Sequence, residues 1–137
     1  MMYRDFSIPC LLSLPKITDT RGNLSFLQNN DQIPFEIKRV FWIYDVPGGE
    51  TRGGHALKTQ QELIIVLSGS LDIIVSDRNN VKTQYCLNRS YNALYIPPMF
   101  WRHMENFSTN SVSVHLSSAE FSEADYFRNF DEFISKK

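Results

Sequence analysis

The residues able to do chemistry sit in two short stretches. The first, from Arg52 to Gly69, reads R-G-G-H-A-L-K-T-Q-Q-E-L-I-I-V-L-S-G. It sets His55 and Leu57 two apart, with four residues between Leu57 and Glu62. The second, around Ile96 to Asn106, carries Arg102 and His103. On a strand, side chains two apart share a face, so positions 55 and 57 should look into one interior, and a turn should bring Glu62 back from the same hairpin. Imidazoles at 55, 57 and 102 with a carboxylate at 62 would suit a first-row divalent metal. Here Leu57 cannot ligate and the Arg102 guanidinium repels a cation. We therefore expect no tightly bound metal and no other cofactor. What remains is an imidazole able to carry protons near neutrality, beside a guanidinium that needs an anionic partner. That partner is either Glu62 or a ligand oxygen. His103, one position off, should face away from the interior, and His115 reads as a structural histidine.

These groups must be positioned by strands. Short runs rich in Val, Ile, Leu, Phe and Tyr alternate with turn residues along the whole chain. Strands are expected at 24–27, 37–46, 62–67, 71–75, 82–87, 91–96 and, as the last one, 111–117. Turn signals at Asp19 to Asn23, Pro47-Gly48-Gly49, Ser68-Gly69-Ser70, Asp77 to Asn80 and Pro97-Pro98 separate them. Many short strands at this spacing predict an all-β barrel or sandwich over about residues 10–118. One C-terminal helix is expected over about 122–134, with Ser122 and Asp125 as a capping box and Phe127, Phe130, Phe133 and Ile134 on its buried side. Met99 and Met104 read as packing residues, and so do Trp101 and Tyr44, with stacking on a ring the alternative.

Composition narrows the function. The 137 residues hold 14 basic and 15 acidic side chains, a net charge of −1, which gives no case for nucleic acid or an anionic membrane as partner. The length suits one domain, 1–137, with a real core. Cys10 and Cys86 follow no metal or redox spacing and read as unbridged buried thiols. The N-terminus has no long apolar run and is broken by Pro9 and Pro15, so it reads as neither signal peptide nor spanning helix. A cytoplasmic protein is expected.

The spacing of both stretches resembles the cupin superfamily, whose fold is a double-stranded β-helix, or jelly-roll, barrel. Its first signature, G, five residues, H-x-H, three or four residues, E, six residues, G, is similar to His55, Ala56, Leu57, Glu62 and Gly69. Its second, G, five residues, P-x-G, two residues, H, three residues, N, is similar to Tyr91, Pro97, Met99, Arg102 and Asn106. More narrowly, the chain resembles the dTDP-4-keto-6-deoxyglucose 3,4-ketoisomerases. The likeness rests on Asp19-x-Arg21-Gly22-x-Leu24, Pro34-Phe35-x-Ile37-Lys38-Arg39-Val40, Ile43-Tyr44-Asp45, Arg52-Gly53-x-His55-Ala56-x-Lys58, Ile96-Pro97-Pro98, Trp101, Met104-x-Asn106-Phe107-Ser108 and the tail from Ser122 to Phe133.

That resemblance implies a metal-free homodimer that moves a ketone from C4 to C3 of a dTDP-linked 6-deoxyhexose through an enediol, for bacterial surface polysaccharide. It implies His55 as the acid/base. It further implies Arg52, Arg102, Glu62, Arg21 and Lys58 as substrate-binding residues, with Arg52 on the diphosphate; a plain surface charge is the alternative for Arg52. The family's second histidine and strand tyrosine correspond to Leu57 and Phe41. A catalytically silent cupin that binds a nucleotide sugar or a partner enzyme is therefore the second reading. A metal-dependent oxygenase is opposed by Arg102 and Leu57.

Overall fold

The computed structural model describes residues 5–135; residues 1–4, the start of the N-terminal stretch, and 136–137 lie outside it. Twelve strands follow one another in the described residues: β1 Cys10–Ser13, β2 Lys16–Asp19, β3 Gly22–Ser25, β4 Arg39–Tyr44, β5 Arg52–Leu57, β6 Glu62–Ser68, β7 Leu71–Ser76, β8 Lys82–Leu87, β9 Asn92–Ile96, β10 Trp101–Glu105, β11 Val112–Ser117 and β12 Tyr126–Phe127. A 3₁₀ turn, Glu123–Asp125, precedes β12, and helix α1, Phe130–Ser135, ends the chain. Two five-stranded sheets form, in the orders β1-β9-β6-β11-β4 and β12-β5-β10-β7-β8, with β2-β3 as a separate hairpin. All pairings are antiparallel. This is an all-β cupin barrel with one C-terminal helix. Among the described residues no helix is long and apolar enough to cross a membrane.

Alternation along the strands explains the layers. Between the sheets, Ile64 and Val66 of β6, Ile73 and Val75 of β7, Leu94 and Ile96 of β9 and Met104 of β10 form one core. The opposite face of the first sheet, through Leu63, Ile65 and Tyr95, packs under Leu12, Leu14, Ile33 and Phe35. The opposite face of the second sheet is closed by Phe127 and Phe133, with Trp101 meeting Phe130 edge-on at 5.3 Å. Trp101 and both methionines thus pack as expected. Tyr44 does not: it is exposed on β4. Cys86 is also exposed and Cys10 half-buried, so neither is the buried thiol expected.

The motif glycine Gly69 sits at φ +74°, where a Cβ would run into the Ser108 hydroxyl and lie 3.0 Å from Ser111 Cα. That position needs glycine for both conformation and space. Met99 takes φ +67° at the second motif's glycine position, where its amide donates to Leu57 O at 2.8 Å.

Three expectations need correction. The helix does not begin at Ser122, which makes no side-chain cap. Asp125 instead turns inward to the loop after β5, and the chain then adds β12 beside β5, so β11 is not the last strand. The helix starts only where the Asn129 side chain accepts the Glu132 amide at 2.9 Å, a cap the 3.6-residue periodicity does not reveal. Finally, β5 and β6 lie in different sheets, so Glu62 is not the hairpin partner of His55.

Candidate active site

Between the two sheets lies a cavity of about 210 Å³ whose lining includes His55, Glu62, Arg102, His115, Phe41 and Tyr126, with Arg52 and Arg128 among its polar residues. Each arrives by alternation. Glu62 shares the inward face of β6 with Ile64, Arg102 that of β10 with Met104, and His115 that of β11 with Ser113. Arg102 is paired in register with His55 across β10–β5. The outward residue of β10, His103, lies outside the cavity and contacts Glu105 at 3.3 Å. A register shift between Arg102 and Met104 does not turn it inward.

A larger cleft of about 560 Å³ lies elsewhere, lined by Leu14, Tyr91, Val114 and Leu116 with Lys16 and Arg89. It holds no histidine or carboxylate. The smaller cavity carries the chemistry.

At the base of that cavity the Arg102 Nη1 lies 3.2 Å from Glu62 Oε1, with both side chains almost wholly buried. Arg102 also donates Nε and Nη2 to Phe100 O at 3.4 and 3.3 Å. Three of the five guanidinium N–H groups are committed in this way. Burial alone would push the Glu62 carboxyl up. The His115 contact and the Arg102 charge outweigh it, holding Glu62 down at about 2. Burial pulls the Arg102 pKa down while Glu62 opposes it, and the guanidinium stays charged. A cation fixed at position 102 makes the site hostile to a metal ion.

His55 is the half-buried end of this network. Burial, then the Arg102 charge, push its pKa down to about 3, with Glu62 working the other way. The ring is therefore uncharged at neutral pH, rather than poised at the free-histidine value. Its Nε2 is buried without a hydrogen-bond partner. Tyr126 from β12 lies against it at 4.9 Å between ring centroids.

Of the candidates, His55, Glu62, Arg102 and Arg52 come together at this cavity. Arg52 is exposed at its mouth and also lines an adjoining cleft of about 290 Å³ with Tyr44 and Glu50. Arg21 and Lys58 are not brought there. The Arg21 Nη2 pairs with Asp19 at 2.7 Å on the exposed β2–β3 turn. The Lys58 Nζ donates to Ala124 O at 3.0 Å and lies over the Phe127 ring, securing the C-terminal segment. Leu57 is fully buried and absent from the lining.

Sequence reasoning missed His115, Tyr126 and Arg128. His115 alternates with Val114 and Leu116, which marks it as inward, but no spacing ties it to Glu62. Tyr126 and Arg128 were hidden by reading their segment as helix. Arg128 lies over the Tyr126 ring at 4.2 Å and is held by Glu123 at 2.5 and 2.8 Å.

The chain is similar in sequence and fold to several known proteins. The family described as FdtA, WxcM-like, C-terminal, matches residues 9–137. A TDP-4-oxo-6-deoxy-α-D-glucose-3,4-oxoisomerase of Aneurinibacillus thermoaerophilus is 37% identical over 123 residues, 90% of this chain and 88% of the relative. The crystal structure of QdtA, a sugar 3,4-ketoisomerase from Thermoanaerobacterium thermosaccharolyticum in complex with TDP, superposes with a TM-score of 0.90 at 34% identity, covering 93% of each chain. The WlaRB TDP-quinovose 3,4-ketoisomerase of Campylobacter jejuni reaches 0.88 at 43% identity, covering 93% of this chain and 98% of that one.

Proposed function

The chain belongs to the FdtA, WxcM-like C-terminal family, and from that membership we propose that it is a sugar-nucleotide 3,4-ketoisomerase of deoxysugar biosynthesis with His55 as its acid/base. The observation that carries the reading is the uncharged His55 ring, with a buried, unpartnered Nε2, in a cavity it shares with the Arg102 guanidinium. A buried nitrogen without a partner calls for an explanation, and in a cavity wall a ligand atom supplies one.

The reaction is the interconversion of a 4-keto and a 3-keto 6-deoxyhexose. His55 takes the proton from C3, and the electrons move through the new C3=C4 bond onto O4. The Arg102 N–H groups left over from Glu62 and Phe100 face the charge that develops there, as an oxyanion-binding group must. The same negative charge raises the basicity of the imidazole while it holds the C3 proton. His55 then returns that proton to C4. At about 210 Å³ the cavity suits the hexose rather than a whole nucleotide sugar. The TDP moiety lies outside, with Arg52 and Arg128 at the mouth as its phosphate partners.

We assign the protein to the cytoplasm as a homodimer. The outward face of edge strand β4 supports the dimer: Val40, Trp42 and Tyr44 are 48%, 60% and 60% exposed in a row. An exposed apolar edge of this kind calls for a covering partner.

The test is deuterium entry at C3 of TDP-4-keto-6-deoxyglucose in heavy water, followed by NMR. Uptake with formation of the 3-keto sugar, lost in His55→Asn, supports the enzyme. Saturable binding without uptake by the native protein would instead establish the silent cupin, a reading favoured by Leu57 and Phe41.

A further inference from the structure

Moving the ketone requires two proton transfers. One goes from C3 to C4; the other goes from O3 to O4. His55 accounts for the first. The position where the family's second histidine stands is Leu57, which has no proton to give. We propose that His115, held between Glu62 and Ser113, is the second catalytic acid/base of this lumen and carries the O3-to-O4 proton. The inference rests on the ketoisomerase reading above.

Three observations converge. First, among the buried nitrogens without a hydrogen-bond partner are His55 Nε2 and His115 Nδ1, and the two side chains line one cavity. Two buried ring nitrogens without a hydrogen bond, on residues that line one cavity, are what a diol or keto-alcohol would complete. Second, His115 is held like a working group. Its Nε2 and the Ser113 hydroxyl lie 2.9 Å apart, and its ring stacks on Phe41 at 4.6 Å and 8°. Phe41 is the position that corresponds to the family's strand tyrosine. Third, Nδ1 stands 3.5 Å from Glu62 Oε1, too long for a good hydrogen bond but close enough for the carboxylate to balance a positive ring. The charged groups that line the cavity with it are Glu62, Arg102, Arg52 and Arg128, beside the uncharged His55.

The cycle balances. The active form of His115 carries a proton on each ring nitrogen, with Nδ1 beside Glu62. His55 removes the C3 proton while the carbonyl electrons move onto O4, an oxyanion beside Arg102; in the following step His115 gives O4 its Nδ1 proton. The neutral enediol then lies between a protonated His55 and a neutral His115. His115 takes the O3 proton while the electrons of the O3–H bond form the C3 carbonyl. The C3=C4 electrons accept the His55 proton at C4. Both rings return to their starting states, and no oxidant or co-reactant is used.

His115→Val and His115→Gln separate this role from packing, with TDP-4-keto-6-deoxyglucose in heavy water as the probe. Both variants should keep C3 deuterium wash-in within about tenfold of native, because His55 and Arg102 remain. Both should form the 3-keto sugar about a hundredfold more slowly or worse, the usual cost of one acid/base group. KM should move by less than about threefold. A parallel fall in wash-in and product, or a Gln variant with native product formation, would overturn the role of His115 and leave His55 standing. Absence of both signals in the native protein would sink the ketoisomerase reading itself, and this inference with it.

Discussion

Glu62 and Arg102 form an ion pair at 3.2 Å with side chains 3% and 1% exposed, on strands from opposite sheets. It ties β6 to β10 at the base of the cavity. Such a pair is not worth its full Coulomb energy, because both ions have left water. Removing one partner is another matter. Glu62→Gln leaves a buried guanidinium without its counter-charge and should cost about 3–5 kcal/mol, which lowers the melting temperature by roughly 10 °C or more. Pairing Glu62→Gln with Arg102→Met should recover much of that loss, since no lone charge stays buried. Thermal melts of the two singles and the double check this. A Glu62→Gln single within about 2 °C of native would show the guanidinium to be compensated by Phe100 O alone.

The same network sets the pH response of stability. His55 folds with its pKa near 3, below the free-histidine value of 6.5, so the unfolded chain binds the extra proton. Its contribution is full above pH 6.5 and is lost as pH falls from there toward 3, at no more than about 1.4 kcal/mol per unit. Glu62, held at about 2 against 4.5, adds a loss in the same direction as pH drops below 4.5. Urea midpoints should therefore fall steadily between pH 6.5 and 4. His55→Asn should flatten that part of the curve while keeping the steeper drop below pH 4.5. A native midpoint constant from pH 7 to 5 would contradict the buried neutral ring.

Asp125 latches the C-terminal segment onto the site. Its carboxylate accepts the Thr59 amide at 3.0 Å, the Gln60 amide at 3.1 Å and the Thr59 hydroxyl at 2.6 Å, and its backbone oxygen accepts the Lys58 amide at 2.8 Å. Because Tyr126 follows directly, the latch also seats the ring that lies against His55. Asp125→Ala strands these donors and should cost about 1–3 kcal/mol. It should lower kcat/KM by roughly tenfold through misplaced Tyr126 and Arg128. Amide hydrogen exchange gives the sharper readout: Thr59 and Gln60 should lose protection before the strands of the first sheet do. Unchanged protection there would remove Asp125 from the account.

The barrel was legible in part because it obeys period two. β10 alternates, with Arg102 and Met104 inward, while β6 is buried on both faces from Glu62 to Val66 and was marked instead by its short apolar run between turn signals. Motif spacing likewise brought His55, Glu62 and Arg102 to one place. What escaped was set by contacts distant in sequence. The segment after Ser122 carries aromatic residues at helical intervals, yet Asp125 finds Thr59 and Gln60, sixty-odd positions away, and Tyr126–Phe127 pairs with β5. Local periodicity cannot weigh such partners. His115 escaped for a related reason. Its inward direction was readable, but its value depends on Glu62, Ser113 and Phe41 arriving from three places at once.

The apolar row on β4 carries the last prediction. Val40, Trp42 and Tyr44 are exposed, while Phe41 and Ile43 between them line the cavity. A row of this size on an edge strand is unstable as free surface: the backbone groups along the open edge and the rings beside them both gain from a second copy. On the proposed dimer, Trp42→Glu should shift the sedimentation velocity from dimer to monomer. In the monomer the β4–β11 pairing loses its outer cover, and Phe41 beneath His115 loses support. Activity should fall together with dimer content as the variant is diluted. A Trp42→Glu protein that sediments as the native one does would move the interface off β4; a native protein that is monomeric at high concentration would remove the interface altogether.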